Sequence, residues 1–257
     1  MIYLVIAITA FFASGITLFS GFGLATVLTP VFILFFPAPV AVGLTAIVHF
    51  LNNIFKFFLL GKHGNKEVLI KFGIPAVFAA ILGGLTLSLM AKRNFIISYS
   101  LFNHKLSVEF INFVIGFIIL FFVFVEVLSD RSKISFNKKF LFLGGLLSGF
   151  FGGLSGNQGA FRSIFLLKCN LSKEEFIATG VIIACLVDFA RIFVYGVNFF
   201  SKDLLNDFPL LFVAIFSAFS GSYFSKKYLH KVTIGSVRII VLVMLLGIST
   251  GMITGLI

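Results

Sequence analysis

Charge is what this sequence has least of. Only 11% of its 257 residues are Asp, Glu, Lys or Arg, and just nine of those are acidic. With 60% of residues hydrophobic, 38 of them Phe, and a mean hydropathy of +1.15, that scarcity excludes a soluble globular domain. Cysteine is nearly absent: Cys169 and Cys185 would lie about 24 Å apart along a continuous helix, too far for a disulfide. There is no HExxH, no P-loop and no paired-Cys metal spacing, and the four His are scattered at 49, 63, 104 and 230. Those absences argue against an enzyme and call for neither a cofactor nor a metal. The N-terminus, MIYLVIAITAFFASG, lacks a basic leader and reads as a retained helix.

What remains is a polytopic membrane protein expected to form one membrane domain over residues 1–257. Apolar segments run approximately over 2–36, 40–61, 67–91, 106–129, 138–168, 174–200, 204–225 and 232–257. The net charge of +11 does not point to nucleic acid, because Lys and Arg cluster at the ends of these runs, where they meet lipid headgroups or set topology. The formal sequon Asn170-Leu171-Ser172 falls on the side expected to be cytoplasmic. The bilayer is the first partner the sequence implies; a homodimer is an assembly it leaves open.

Two segments are too long to cross once. Lys138–Lys168 as one helix would span roughly 46 Å against a hydrocarbon core of about 30 Å. It is interrupted by Gly152-Gly153-Leu154-Ser155-Gly156-Asn157-Gln158-Gly159, and the first segment is interrupted by Ser14-Gly15 and Ser20-Gly21-Phe22-Gly23. An offset of 134 residues superposes Ser14-Gly15 on Ser148-Gly149, and Pro75, Phe78, Ala80 and Ile81 on Pro209, Phe212, Ala214 and Ile215. With small gaps, Ser20-Gly21 falls on Ser155-Gly156, Gly23 on Gly159, and Ala41 and Gly43 on Ala178 and Gly180. Two related halves, 1–129 and 138–257, are the expectation.

Charge decides how they fold. Single spans throughout would leave Lys and Arg evenly divided between the two sides. If both overlong segments are hairpins that return to their side of entry, thirteen basic residues, from Lys62 to Arg238, share one side. Only Lys92, Arg93, Lys105 and Lys202 stay on the other. The positive-inside rule then places both termini outside, and each half becomes a glycine-broken helical hairpin followed by three transmembrane helices, the second inverted relative to the first. Inverted repeats with broken helices in matching positions are the pattern of a secondary transporter, with its site near the midplane.

The residues that would carry such a site are few. Each returning half-helix exposes backbone N–H groups at its start, which favours an anion, with Gly21, Gly23 and Gly156 permitting close approach and Ser20, Ser155, Asn157 and Gln158 donating. The bland alternative is that these glycines only let helices pack closely. Arg162 follows the second break by one turn and suits an oxyanion, unless it snorkels to the interface. His49, Asn52, Asn53 and Lys56 recur at i, i+3, i+4 and i+7 on one helix face, as lining or as interhelical glue. Asp188 and Arg191, three apart, can pair; Asp188 or His49 is a candidate for a coupling proton and Arg191 for the anion. Candidate substrate-binding residues are therefore Ser20, Gly21, Gly23, His49, Asn52, Asn53, Ser155, Gly156, Asn157, Gln158, Arg162 and Arg191.

The stretches SGITLFSGFGLATVLTPVFIL with APVAVGLTAIVHFLNNIFKFFLLG, and LLSGFFGGLSGNQGAFRSIFLL with FIATGVIIACLVDFARIFVYG, each run from a glycine-rich break through an apolar half-helix to an Ala-x-Gly opening the next helix. In this they resemble the sulfite exporter TauE/SafE family of membrane permeases. Pro30 matches a proline common in that family, the second half has Arg162 nearby instead, and the triple-glycine cluster is depleted in both halves. The resemblance implies transport of sulfite, a sulfonate, another small organosulfur compound or a small carboxylate across the inner membrane, coupled to a gradient of H+ or Na+. The competing classes are an anion channel without coupling and a non-transporting sensor or assembly subunit.

Overall fold

The computed structural model describes residues 1–20, 23–60, 63–93, 95–101, 104–132, 137–167, 169–198, 208–228 and 234–257. The first overlong segment is α1, Ile2–Ser20, and α2, Leu24–Ile33, which starts at an extended Gly23 (φ −83°, ψ 137°) and has all ten residues buried. A short helix apolar on every side belongs inside a bundle, and that is where α2 sits. Next come α3, Ala38–Leu60; α4, Lys66–Val68, capped by the Asn65 side chain; a π-helical turn at Leu69–Gly73; and α5, Ile74–Ala91. A two-stranded antiparallel hairpin, β1 Ile96–Leu101 and β2 His104–Glu109, pairs Ile96 with Glu109 and leads into α6, Phe110–Ser132.

The second half opens with a 3₁₀ turn at Lys138–Phe140, then α7, Leu141–Ser155; α8, Gly159–Leu166; α9, Lys173–Asn198; α10, Phe208–Tyr228; and α11, Ile234–Thr254. Among the described residues, five helices are long and apolar enough to cross a membrane: Ala38–Leu59, Lys66–Ala91, Phe110–Leu128, Lys173–Gly196 and Phe208–Lys227. Their outward faces carry exposed Phe78, Leu82, Phe117, Phe124, Phe189 and Phe193. Such apolar surface suits lipid and not water. The chain is an all-helical multi-pass membrane protein apart from the hairpin, whose second strand takes in the first four residues, 106–109, of the apolar segment expected from 106.

The break in the second half is sharper than its glycine content suggests. α7 remains helical through Gly152, Gly153 and Ser155 and stops at Gly156, whose φ of +84° turns the chain while its N–H bonds to Gly152 O at 3.0 Å. A left-handed residue there terminates the helix and satisfies one of its last carbonyls. α8 then folds back along α7: Gly152 faces Gln158, Ser148 Oγ donates to Gln158 O at 2.8 Å, and Gly144 lies under the Phe165 ring. The other glycines do a different job. Gly145, Gly149 and Gly153 lie against the backbone of Phe72, Ala76 and Ala80, leaving no space for a Cβ. Because both series advance together, α5 and α7 run parallel in backbone contact.

α3 and α9 run antiparallel through the centre, with Phe50 against Phe189 (centroids 6.3 Å) and Asn65 N–H donating to Thr179 Oγ1 at 2.9 Å. Around this pair, α1 packs on α10, α5 on α7 and α6 on α11 as the most extensive contacts. The β-hairpin covers the end of α11, where Tyr99 Oη donates to Thr254 O at 2.7 Å.

Candidate functional site

Both chain breaks converge on the middle of the α3–α9 pair. His49, at the midpoint of α3, places Nδ1 2.5 Å from Asp188 Oδ2 on α9. Arg191 Nε donates to Asp188 Oδ1 at 2.9 Å; its Nη2 lies 2.7 Å from the same oxygen, in ion-pair contact but off the hydrogen-bonding direction. Gln158 Nε2, from the second break, donates to that oxygen at 3.1 Å. The carboxylate is thus held by three side chains, and all four residues are at most 2% exposed. Burying a carboxylate this deeply requires such pairing, and each partner satisfies it from a different direction.

The breaks close on this group from two sides. A Cβ on Gly23 would lie 3.6 Å from His49 Nε2 and from Thr26 Oγ1. One on Gly156 would lie 3.2 Å from Arg191 Nη1 and 3.1 Å from Thr29 Oγ1 of α2. Arg191 Nη1 also donates to Gly152 O at 3.2 Å, and Tyr195 Oη donates to Gly153 O at 2.5 Å, so α9 holds the last turn of α7. Asn53 Nδ2 sits 3.1 and 3.2 Å from the two His49 ring nitrogens. Ser155 and Asn157 work locally: Asn157 Nδ2 donates to Ser155 Oγ at 3.2 Å, which donates to Phe151 O at 3.0 Å.

Two predicted residues sit apart from the carboxylate group. Asn52 Oδ1 accepts from Ser14 Oγ at 3.1 Å and Ser222 Oγ at 3.0 Å, tying α1, α3 and α10 together in the glue role polar residues take between membrane helices. Arg162, on α8, is buried with its Nε over Gly180 of α9, and its charge reaches His49, Lys56 and Asp188. It does not snorkel. Gly21 lies outside the described residues, as does the Ser20 side chain.

Several donors here have no partner among the described residues: Thr29 and Thr45 hydroxyls, Asn52 Nδ2, Arg162 Nη1 and Arg191 Nη2. Buried polar groups are nearly always satisfied, so the open Arg162 Nη1, the Thr29 hydroxyl beside Gly156 and the open acceptor Gln158 Oε1 mark hydrogen-bonding capacity that the described residues do not use. Among the described residues no group of His, Cys, Asp and Glu comes close enough to hold a metal. Sequence reasoning missed Thr29, Tyr195 and the Ser14–Ser222 pair. Tyr195 is one turn after Arg191 on the same face, a spacing that was readable; Ser222 carries no local signal.

With that geometry in place, the comparisons decide the family. The family model described as sulfite exporter TauE/SafE matches residues 6–252. The chain belongs to the sulfite exporter TauE/SafE family. No curated protein and no solved structure matches it. Membership in this family of membrane transporters covers nearly the whole chain, both breaks and the α3–α9 centre included, and agrees with a permease and not an enzyme.

Proposed function

We propose that the chain is a secondary transporter that moves a small anion, such as sulfite, a sulfonate, another organosulfur compound or a small carboxylate, across the inner membrane by alternating access. The observation that carries this reading is the convergence of both chain breaks on one buried, cation-rich centre whose donors lack acceptors. Arg162 and Arg191 supply charge, Gln158, Asn157 and Asn53 supply amide donors, and Gly23 and Gly156 bring the backbone close, with Ser155 beside Asn157. Asp188 with His49 is the pair whose protonation would couple to a proton gradient, Na+ being the other coupling ion considered.

Residues 1–129 and 138–257 act as inverted repeats in this proposal, with both termini outside. The helix pairings support it: exchanging the halves turns the α1–α10 contact into the α7–α5 contact and maps α3–α9 and α6–α11 onto themselves. In the conformation described, the centre is closed, since His49, Asn157, Gln158, Asp188 and Arg191 are all at most 2% exposed. Such closure is what the occluded form of an alternating-access cycle would require.

The experiment is flux in proteoliposomes loaded with sulfite, isethionate or acetate. Uptake against the anion gradient, abolished when the ion gradient is collapsed, supports the carrier. Strictly downhill flux at channel rates refutes it in favour of a channel. Unchanged flux in an Arg162→Gln, Arg191→Gln double variant refutes the site, and wild-type flux no greater than that of protein-free liposomes leaves the non-transporting sensor or assembly role.

A further inference from the structure

Lys56 is the buried charge that the carboxylate centre does not account for. It lies on α3 seven residues beyond His49, about 10 Å along the axis, on the same helix face. The residue is 4% exposed, and its ammonium makes a long hydrogen bond to Thr17 Oγ1 of α1 at 3.4 Å. α2 and α5, which pack on α3, carry no ionisable side chain. α9 carries Cys185, Asp188, Arg191 and Tyr195, with Lys173, Glu174 and Glu175 at its exposed start. α10 carries Lys226, whose Nζ donates to Leu59 O, and Lys227, while α6 carries Glu126 among the side chains described. Of these groups and Arg162 of α8, Arg162 is the one whose charge acts on Lys56, and it is a second cation.

Arg162 lies near the same level of the α3–α9 pair. Its Nε packs over Gly180, and on the antiparallel α3–α9 pair the neighbouring Ile182 shares a groove with Phe57 and Phe58, the residues after Lys56. Its Nη1 is buried and unpartnered among the described residues. The charge count is then simple. Asp188 is paired with Arg191 inside the centre, and although its charge also reaches Arg162, one buried carboxylate faces three buried cations, Arg191, Arg162 and Lys56. Such an excess costs several kcal/mol per uncompensated ion, and two remedies exist: an anion between Lys56 and Arg162, or loss of the proton from the one group that can lose it. Guanidinium keeps its proton, whereas an amine beside another cation at membrane depth is the usual proton-exchanging lysine.

We propose that Lys56 and Arg162 form an anion subsite on the inner side of the carboxylate centre, and that Lys56 Nζ takes up one proton from solution when an oxyanion arrives and releases it when the anion leaves. The ligand class is a small oxyanion, sulfonate or carboxylate, whose oxygens accept from Arg162 Nη1 and from the Lys56 ammonium. Anion and proton therefore bind together, with no bond made or broken other than N–H. This rests on the anion-carrier reading above and adds to it where the bound proton resides.

The test uses the purified full-length protein in detergent with isethionate, which stays ionised across the pH range, so any pH dependence belongs to the protein. Calorimetry in two buffers of different ionisation enthalpy counts protons taken up per anion. The wild type is expected to take up close to one, with affinity falling up to about tenfold per pH unit on the alkaline side. Lys56→Arg, permanently charged, should bind within about threefold of wild type at low pH but with no proton uptake and a flat pH profile. Lys56→Gln should weaken binding by roughly tenfold or more. Proton uptake that persists in Lys56→Arg, or none in a wild type that binds, overturns this inference and leaves the carrier intact. No binding of isethionate, sulfate or thiosulfate by the wild type overturns the site reading and this inference together.

Discussion

Asp188→Asn is the substitution whose consequence the structure fixes most tightly. The carboxylate receives His49 Nδ1, Gln158 Nε2 and Arg191 Nε within 2.5 to 3.1 Å, and it is fully buried. An Asn fills the same volume and keeps one acceptor oxygen, so little packing is lost. What is lost is the counter-charge of Arg191, which stays 0% exposed with neutral partners alone, Gly152 O and the Tyr195 hydroxyl among them. Breaking one side of a buried pair costs about 3–5 kcal/mol, because the other charge is left uncompensated. For a chain of this length that corresponds to an apparent melting temperature lower by roughly 6–20 °C. Arg191→Gln alone should cost a similar amount, by leaving the carboxylate to His49 and Gln158. The double variant removes both charges, so its loss should fall well short of the sum, with a coupling of about 2 kcal/mol or more. The assay is a thermal-unfolding double-mutant cycle on purified protein. Additive losses, or an Asp188→Asn variant within 1 °C of wild type, would refute the claim that this pair neutralises itself.

Three further outcomes follow from particular contacts. Gly156→Ala must hold an L-residue at φ +84° and place a Cβ 3.1 Å from Thr29 Oγ1; about 1–2 kcal/mol of stability should go, with anion affinity falling as Thr29 and Arg191 shift, and equal affinity would remove the break from the site. Gly149→Ala drives a Cβ into the Ala76 carbonyl, a rigid backbone neighbour, and should cost about 1–3 kcal/mol, whereas Gly247→Ala, with nothing within 4 Å, should be neutral or stabilising by up to about 1 kcal/mol. For orientation, cysteines introduced at Lys71 and Lys139 in a Cys169→Ser, Cys185→Ser background should be labelled from the cytoplasmic side alone; labelling from outside would overturn the proposed topology.

Most helix boundaries were legible because hydrophobic length and end-charges are local properties. The expected segments 40–61 and 67–91 became Ala38–Leu60 and Lys66–Ala91, and the fold-back at 138–168 followed from length and charge before any contact was known. The β-hairpin was missed although Ile97, Tyr99 and Leu101 alternate with Ser98 and Ser100, a period-two signal overshadowed by the apolar runs on either side. Glycine was the residue type read least well. Gly152 and Gly153 looked like part of the break, yet they are helical, and Gly153 is one of a four-residue series that seats α7 on α5. Composition cannot separate a glycine that turns a chain from one that lets two helices touch, since the second depends on a partner 73 residues away. The polar stripe on α3 divided for the same reason: His49 and Asn53 reach α9 or each other, while Asn52, one residue earlier than Asn53, meets serines of α1 and α10.

The way the centre divides between the halves constrains how it can move. Arg191, Gln158, Asp188 and the Gly152 carbonyl all belong to the second half, so the carboxylate keeps its neutralising partner and one amide donor whatever the first half does. Within the centre two contacts cross between the halves: His49 to Asp188, and Thr29 against Gly156. A displacement between halves therefore need not expose an uncompensated charge, the step that would be most costly at membrane depth. At the centre it exchanges one hydrogen bond at His49, of the order of 1 kcal/mol, and the Thr29–Gly156 contact, while the α1–α10, α5–α7, α6–α11 and α3–α9 interfaces, which also join the halves, have to slide with it. Lys56 and Arg162 also lie in different halves, so an anion bridging Arg162 and the protonated Lys56 adds a tie across the centre to the one His49 makes. On this geometry the bound anion favours the closed form, which is the differential affinity that any ligand-driven conformational cycle requires.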